Sequence, residues 1–319
     1  MRTMAPATTK DDKFAMVKGC IREAACEAAQ DGLLASVVER FLYTGERTWE
    51  GAGSGCFTSA QFKMDEAYSR AVKIALRMLF RRLGELVPTE ARLKPKVASE
   101  DIQRRLGPMV EGLVPSGWQE TALCELTART FVLNFQGAAA ALETELSSGY
   151  VGGDTTAWHI LWVCFGDYGL TPKEIKMPCD GIASNCAHVR WSSYETKDPY
   201  SDVVVHEAAH LLHYLKPRHY GLPTRRHQER FVDVDFRYYE LFAFACEAYS
   251  RVVQHCERRS RISFAERMPE DASSFPRSQM EELAALVLKA ALARNGWKVI
   301  REATVIRRIP MPAKGLTKP

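Results

Sequence analysis

His206, Glu207 and His210 stand in the order H-E-x-x-H within the run Asp202-Val-Val-Val-His-Glu-Ala-Ala-His-Leu-Leu-His-Tyr-Leu215. No helix breaker interrupts that run, so helical geometry places its side chains. One turn, about 6 Å of rise, separates the two histidines, and both imidazoles can converge on one ion at roughly 2.0–2.1 Å from each ring nitrogen. Glu207 lies about 100° around the helix from His206, in position to hold and deprotonate a metal-bound water without itself being a ligand. Two imidazoles beside a carboxylate base are the groups that zinc-assisted hydrolysis requires, so the expected cofactor is Zn2+.

The helix that carries them has its own positioning signals. Val204, Ala208, Leu211 and Leu215 fall on one apolar stripe, the pattern of a face packed on a core, with His206 and His210 on the opposite side. Asp198-Pro199 and Ser201 precede the helix as candidate caps, and Lys216-Pro217 ends it. His213 shares the angular position of His206 but lies two turns on, out of reach of the same ion, and is expected to support a ligand, line a groove or face solvent.

The motif resembles that of the zincin superfamily of metallopeptidases. The metzincin branch needs a glycine and a third histidine at fixed spacing after H-E-x-x-H, whereas this chain continues Leu211, Leu212, His213, Tyr214, Leu215, Lys216. The gluzincin branch takes a glutamate from a downstream helix, and Tyr239-Glu240-Leu-Phe-Ala-Phe-Ala-Cys-Glu247-Ala-Tyr-Ser-Arg251 resembles its E-x-F-A helix. The resemblance spans residues 155–255 and implies His206, His210 and Glu240 as metal ligands, with Glu207 as general base. Glu247, seven residues on and about 10.5 Å further along the helix, is the alternative third ligand, or else an acceptor for a ligand histidine. Three and four positions after Glu240 stand Ala243 and Phe244, where the best-known gluzincins carry an acidic residue, so the sub-branch stays open. The resemblance also places an oxyanion donor among His219, Tyr220 and His227, with Tyr238 and Tyr239 as further candidates, and assigns residues 187–194 to an edge strand that pairs with extended substrate.

Elsewhere, His159-Ile-Leu-Trp-Val-Cys-Phe165 reads as a buried strand and Ala187–Tyr194 as a looser one. Residues 11–42, 59–85, 99–113 and 118–147 have helical spacing, with breaks at Gly51–Gly55, Pro88, Pro95 and Pro115. Within the second of these, Arg70, Lys73, Arg77 and Arg81 form a basic stripe opposite Val72, Leu76, Leu79 and Leu83, read as a solvated face. Residues 278–295 read as an amphipathic helix, Lys298–Ile306 as a strand, and the remainder as a basic tail.

With 319 residues, 46% of them hydrophobic, the chain can bury a core without covalent staples. A net charge of +4 does not by itself imply nucleic acid. No apolar run approaches the roughly 20 residues of a membrane span, and Lys10, Asp11, Asp12 and Lys13 interrupt any leader-like stretch. Nine scattered cysteines read as reduced thiols and point to the cytoplasm. Cys179 and Cys186 are too isolated to make a second zinc site.

These features give an α+β expectation: a helical N-terminal region over residues 1–115, a zincin-like core with a small mixed sheet and an active-site helix over 116–265, and a helix, strand and basic tail over 266–319. The expected activity is that of a zinc metallopeptidase acting on a peptide or protein, with no membrane or nucleic-acid partner; the sequence does not specify the oligomeric state. The alternatives are a zincin-fold binding or regulatory protein without turnover, and a nucleic-acid-associated factor with a structural zinc.

Overall fold

Helices form where the 3.6-residue spacing predicts them, and they take up most of the chain. The computed structural model describes residues 10–29, 32–46, 59–148, 153–175, 181–223 and 229–305. The expected break at Gly51–Gly55, the basic tail beyond Val305, His227, Cys56 and Cys179 lie outside these residues. The chain packs as two compact units, each built from two stretches of sequence: Met1–Ala98 with Thr130–Glu195, and Ser99–Arg129 with Thr196–Pro319. The boundaries at residues 115 and 265 expected from the sequence fall inside the second unit.

In the first unit, helices Lys10–Ala28, Gly32–Thr44, Ser59–Leu86, Phe135–Ser147 and Gly153–Gly166 surround a core that includes Ile21, Phe41, Leu76, Leu79 and Trp162. Val72, Leu76, Leu79 and Leu83 are fully buried, as the apolar stripe predicts. Of the basic residues opposite, Arg70 pairs with Glu66 and Arg77 with Glu143. The last turn of helix Gly32–Thr44 leaves the Leu42 carbonyl without a helical partner, and the indole N–H groups of Trp158 and Trp162 donate to it at 2.8 and 3.1 Å. Gly45 closes that turn in the left-handed region, φ 69°, where a Cβ would meet the Trp158 ring at 2.8 Å.

Two strand expectations in this unit are corrected. Residues 159–165 belong to helix Gly153–Gly166, eleven of whose fourteen residues are buried. A helix that is apolar all round has no stripe, so its sequence cannot be told from a buried strand. The expected edge strand is β3, Ala187–Arg190, and it lies in the centre of a three-stranded sheet. It pairs in parallel with β1, Thr130–Leu133, and antiparallel with β2, Gly181–Ala183. Both of its hydrogen-bonding edges are filled, so it cannot add a substrate strand, and Trp191–Tyr194 turns into a short helix. Strand β1 also splits the helix expected over 118–147 into Gln119–Ala128 and Phe135–Ser147, the latter capped by the Asn134 side chain on the Gly137 N–H at 2.8 Å.

The second unit is helical. Its main elements are Ser99–Leu113, Gln119–Ala128, Val203–Tyr214, Tyr239–His255, Met280–Leu292 and Gly296–Thr304. Of the strand expected over 298–306, residues 298–304 lie in the last of these helices, Val305 forms a bridge with Val234, and Ile306 is outside the described residues. The β-branched residues at 299, 300, 304 and 305 suggested a strand, but Asn295 accepts the Lys298 N–H at 3.0 Å and starts a helix whose Trp297, Ile300 and Thr304 are buried on one face. Among the described residues no helix is long and apolar enough to cross a membrane, and the seven described cysteines are free thiols.

Because the Asn295 cap specifies a helix rather than a strand, Asn295→Ala is expected to destabilise this segment by about 1 kcal/mol. Hydrogen exchange of amides 298–304 reads the change directly. Unaltered protection would mean that the cap does not set this element.

Candidate metal centre

Helix Val203–Tyr214 is buried nearly all round, including His206, Glu207, His210 and His213. Asp202 sits at its N-cap with its side chain turned elsewhere, while its backbone carbonyl takes the Val205 and His206 N–H groups at 2.9 and 3.1 Å. Neither Ser201 nor Asp198 caps the helix as expected. Ser201 donates to Glu247, and Asp198 accepts the N–H groups of Tyr200, Ser273 and Ser274. At the other end the carbonyl of Leu212, exposed by the end of the helix, is taken by the Val232 N–H at 3.3 Å.

The second helix, Tyr239–His255, brings both candidate glutamates to the histidines, on different sides of the His206 ring. The Nε2 atoms of His206 and His210 are 3.3 Å apart, and each is 3.6 Å from a carboxylate oxygen of Glu240. One donor atom from each of the three residues lies within 4.8 Å of the others. Glu240 reaches in from the first turn with its side chain 60% exposed, whereas each imidazole is about 10% exposed. The facing His206 and His210 rings hold the Glu240 carboxyl well below the usual carboxylate range, with burial acting the other way.

Glu247 takes the opposite face of His206. Buried to 3% exposure, it accepts the Nδ1–H of His206 on Oε2 at 3.2 Å. Its Oε1 accepts the Ser201 hydroxyl at 2.7 Å and the Asp202 N–H at 2.8 Å. Burial disfavours charge on His206, but hydrogen bonds to Glu240 and Glu247 and the charges of Glu247 and Glu207 outweigh it, raising the imidazole pKa to about 10. The surroundings of this ring therefore favour a positive charge at the point where the donors meet.

His213, expected to support a ligand, line a groove or face solvent, lies against His210. It is fully buried, and its Nε2 lies 3.1 Å from His210 Nδ1. Burial pushes the His213 pKa down to about 3, so the ring is neutral, and the contact needs one donor. With His210 Nδ1–H donating to His213 Nε2, the Nε2 lone pair of His210 faces Glu240 and His206. The His213 ring stacks on Tyr239 at 4.0 Å, and the Tyr239 hydroxyl accepts from Arg230 at 3.3 Å.

The other candidates are dispersed. His219 is exposed, and Tyr220 stacks on Phe231 under the Arg129 guanidinium. Tyr238 lies beneath Arg237. Three residues near the site were missed. Tyr214, one turn after His210 on the same face, sets its ring parallel to that imidazole at 6.5 Å, and this spacing could have revealed it. Phe244 packs on His206 at 4.5 Å, four residues after Glu240 on the same helix face. Arg230 carried no signal, because the docking of residues 231 and 232 on the end of the motif helix is what brings it near.

Compared with protein-family models, curated proteins and solved structures, the chain matches none of them.

Proposed function

We propose that the chain is a gluzincin-like zinc peptidase, with His206, His210 and Glu240 as metal ligands and Glu207 as general base. The observation that carries this reading is the orientation of the two imidazoles. Glu247 and His213 occupy both Nδ1 positions, leaving both Nε2 atoms to converge with a carboxylate. A His2Glu set of this kind would suit catalytic zinc, with a further position left for water or substrate. A bound zinc ion would supply a Lewis acid that polarises a scissile carbonyl and acidifies water.

The remaining work falls to the chain. Glu207 follows His206 in the buried helix, and its charge is felt at both His206 and Tyr214. Its carboxylate takes a proton from the attacking water and passes it to the leaving amine. The hydrogen bonds of Glu247 and His213 fix ring orientation and tautomer before substrate arrives, so binding energy is not spent on aligning them.

Purified protein is expected to hold about one zinc per chain, and His206→Ala or His210→Ala should lose it. Full zinc content in both variants, or iron in place of zinc, would contradict the reading. In chelator competition, Glu240→Ala should weaken zinc binding by more than the 10–100-fold expected for Glu247→Ala, whose carboxylate acts through His206. The reverse order would assign the ligand to Glu247.

The decisive variant for activity is Glu207→Gln. It keeps side-chain size but cannot take the proton, so zinc content should be retained while the rate falls by roughly 10²–10⁴-fold. Wild-type and variant proteins, both zinc-loaded, are compared on a peptide library by mass spectrometry of new N-termini. Equal cleavage by the two would remove Glu207 from the mechanism.

A further inference from the structure

A pocket of about 430 Å3 opens beside Glu240. Four rings wall it, those of Tyr214, Phe236, Tyr238 and Tyr239, and Glu240 and Glu282 supply its carboxylates. Such a volume suits a single side chain or small ligand group. The rings meet edge to face, Phe236 with Tyr239 at 5.3 Å and 70°, and Tyr214 with Tyr239 at 6.2 Å and 82°. Phe236 is nevertheless 80% exposed and Tyr214 40% exposed. Their uncovered surfaces leave room for one more ring in the same arrangement.

Position indicates what would bring that ring. Glu240 lines the pocket and is also 3.6 Å from the Nε2 atoms of both histidines. Neighbouring residues of an extended peptide are about 3.5 Å apart along the chain, so a bond held at the three donors has an adjacent side chain within reach of the pocket. Charge narrows the choice further. Arg237, also in the wall, is bound by both carboxylate oxygens of Asp235, at 3.1 and 2.8 Å, which compensates its charge. Glu282, outside the metal-ligand set, then repels an acidic side chain.

We infer that this pocket selects an aromatic side chain next to the bond to be cleaved and rejects an acidic one. Cleavage beside the bound ring rests on the peptidase reading; the binding preference of the pocket does not. The test is therefore made first on binding. N-acetyl-phenylalaninamide, N-acetyl-leucinamide and the corresponding aspartate derivative are titrated against the zinc-loaded full chain by ligand-observed NMR. The phenylalanine probe is expected to bind tightest and the aspartate probe weakest. Phe236→Ala, a change at an exposed position, should weaken the phenylalanine probe about two- to tenfold and leave the aspartate probe unaffected.

Equal affinity for the three probes, or no effect of Phe236→Ala, would overturn the assignment even if zinc binding and cleavage are found. The second arm scores library cleavage. An aromatic preference beside the cut, lost in Phe236→Ala at unchanged zinc content, supports the pocket as a specificity site. Aromatic preference that survives Phe236→Ala overturns it. Selective binding of the phenylalanine probe by a chain that cleaves nothing supports the pocket and removes the peptidase reading.

Discussion

The buried carboxylate of Glu247 is the constraint on which the rest of the site depends. It takes three hydrogen bonds, from the Ser201 hydroxyl, the Asp202 backbone and the His206 ring, and so ties the start of the motif helix and its first histidine to the middle of the second helix. A buried charge is tolerated only when its hydrogen bonds are complete. Removing this one would leave three donors unpaired, each at a cost of about 1–3 kcal/mol. Glu240, 60% exposed, carries no such structural load. One helix thus presents two glutamates with separate duties, one holding the frame and one reaching the open side.

Around Glu247 the polar network continues outward. Asp202, almost fully buried, pairs with Arg105 at 3.3 Å, and burial pushes its carboxyl pKa up. Arg251 donates to the Pro199 carbonyl, and the Tyr200 hydroxyl donates to the Phe264 carbonyl at 2.7 Å. Asp198 meanwhile gathers the Ser273 and Ser274 N–H groups at 2.7 and 2.8 Å. The segment 198–202 is fixed at each of these points, so the motif helix starts from a defined place and its histidines have little freedom to rotate away. Such rigidity suits groups that must meet at one point in a setting where burial strengthens every charge interaction.

The site was legible in the sequence to the extent that helical geometry determines it. His206, Glu207 and His210 are read from one helix, and the seven-residue gap between Glu240 and Glu247 shows that the two cannot serve the same atom. The sequence could not say which glutamate lies on which side of the ring, because that depends on how two helices pack. For His213 helical geometry leaves three roles open, supporting a ligand, lining a groove or facing solvent, and the packing selects the first by setting its ring against His210. The strand errors have a common cause. Residues 159–165 and 298–304 are short runs rich in apolar or β-branched residues, and their helical state follows from all-round burial in one case and from the Asn295 cap in the other. Strand β3 is an edge strand only by the zincin resemblance, and its second partner β2, Gly181–Ala183, lies in a stretch with little strand pattern of its own.

We propose that two imidazoles and a carboxylate, and no cysteine, hold the metal. X-ray absorption at the zinc edge of the purified protein tests it most directly. The expected spectrum is a shell of nitrogen and oxygen only, at about 2.0–2.1 Å, with the outer scattering of two imidazole rings, and it is lost with the zinc in His206→Ala. A sulfur shell near about 2.3 Å, or an imidazole signal unchanged in that variant, would contradict it.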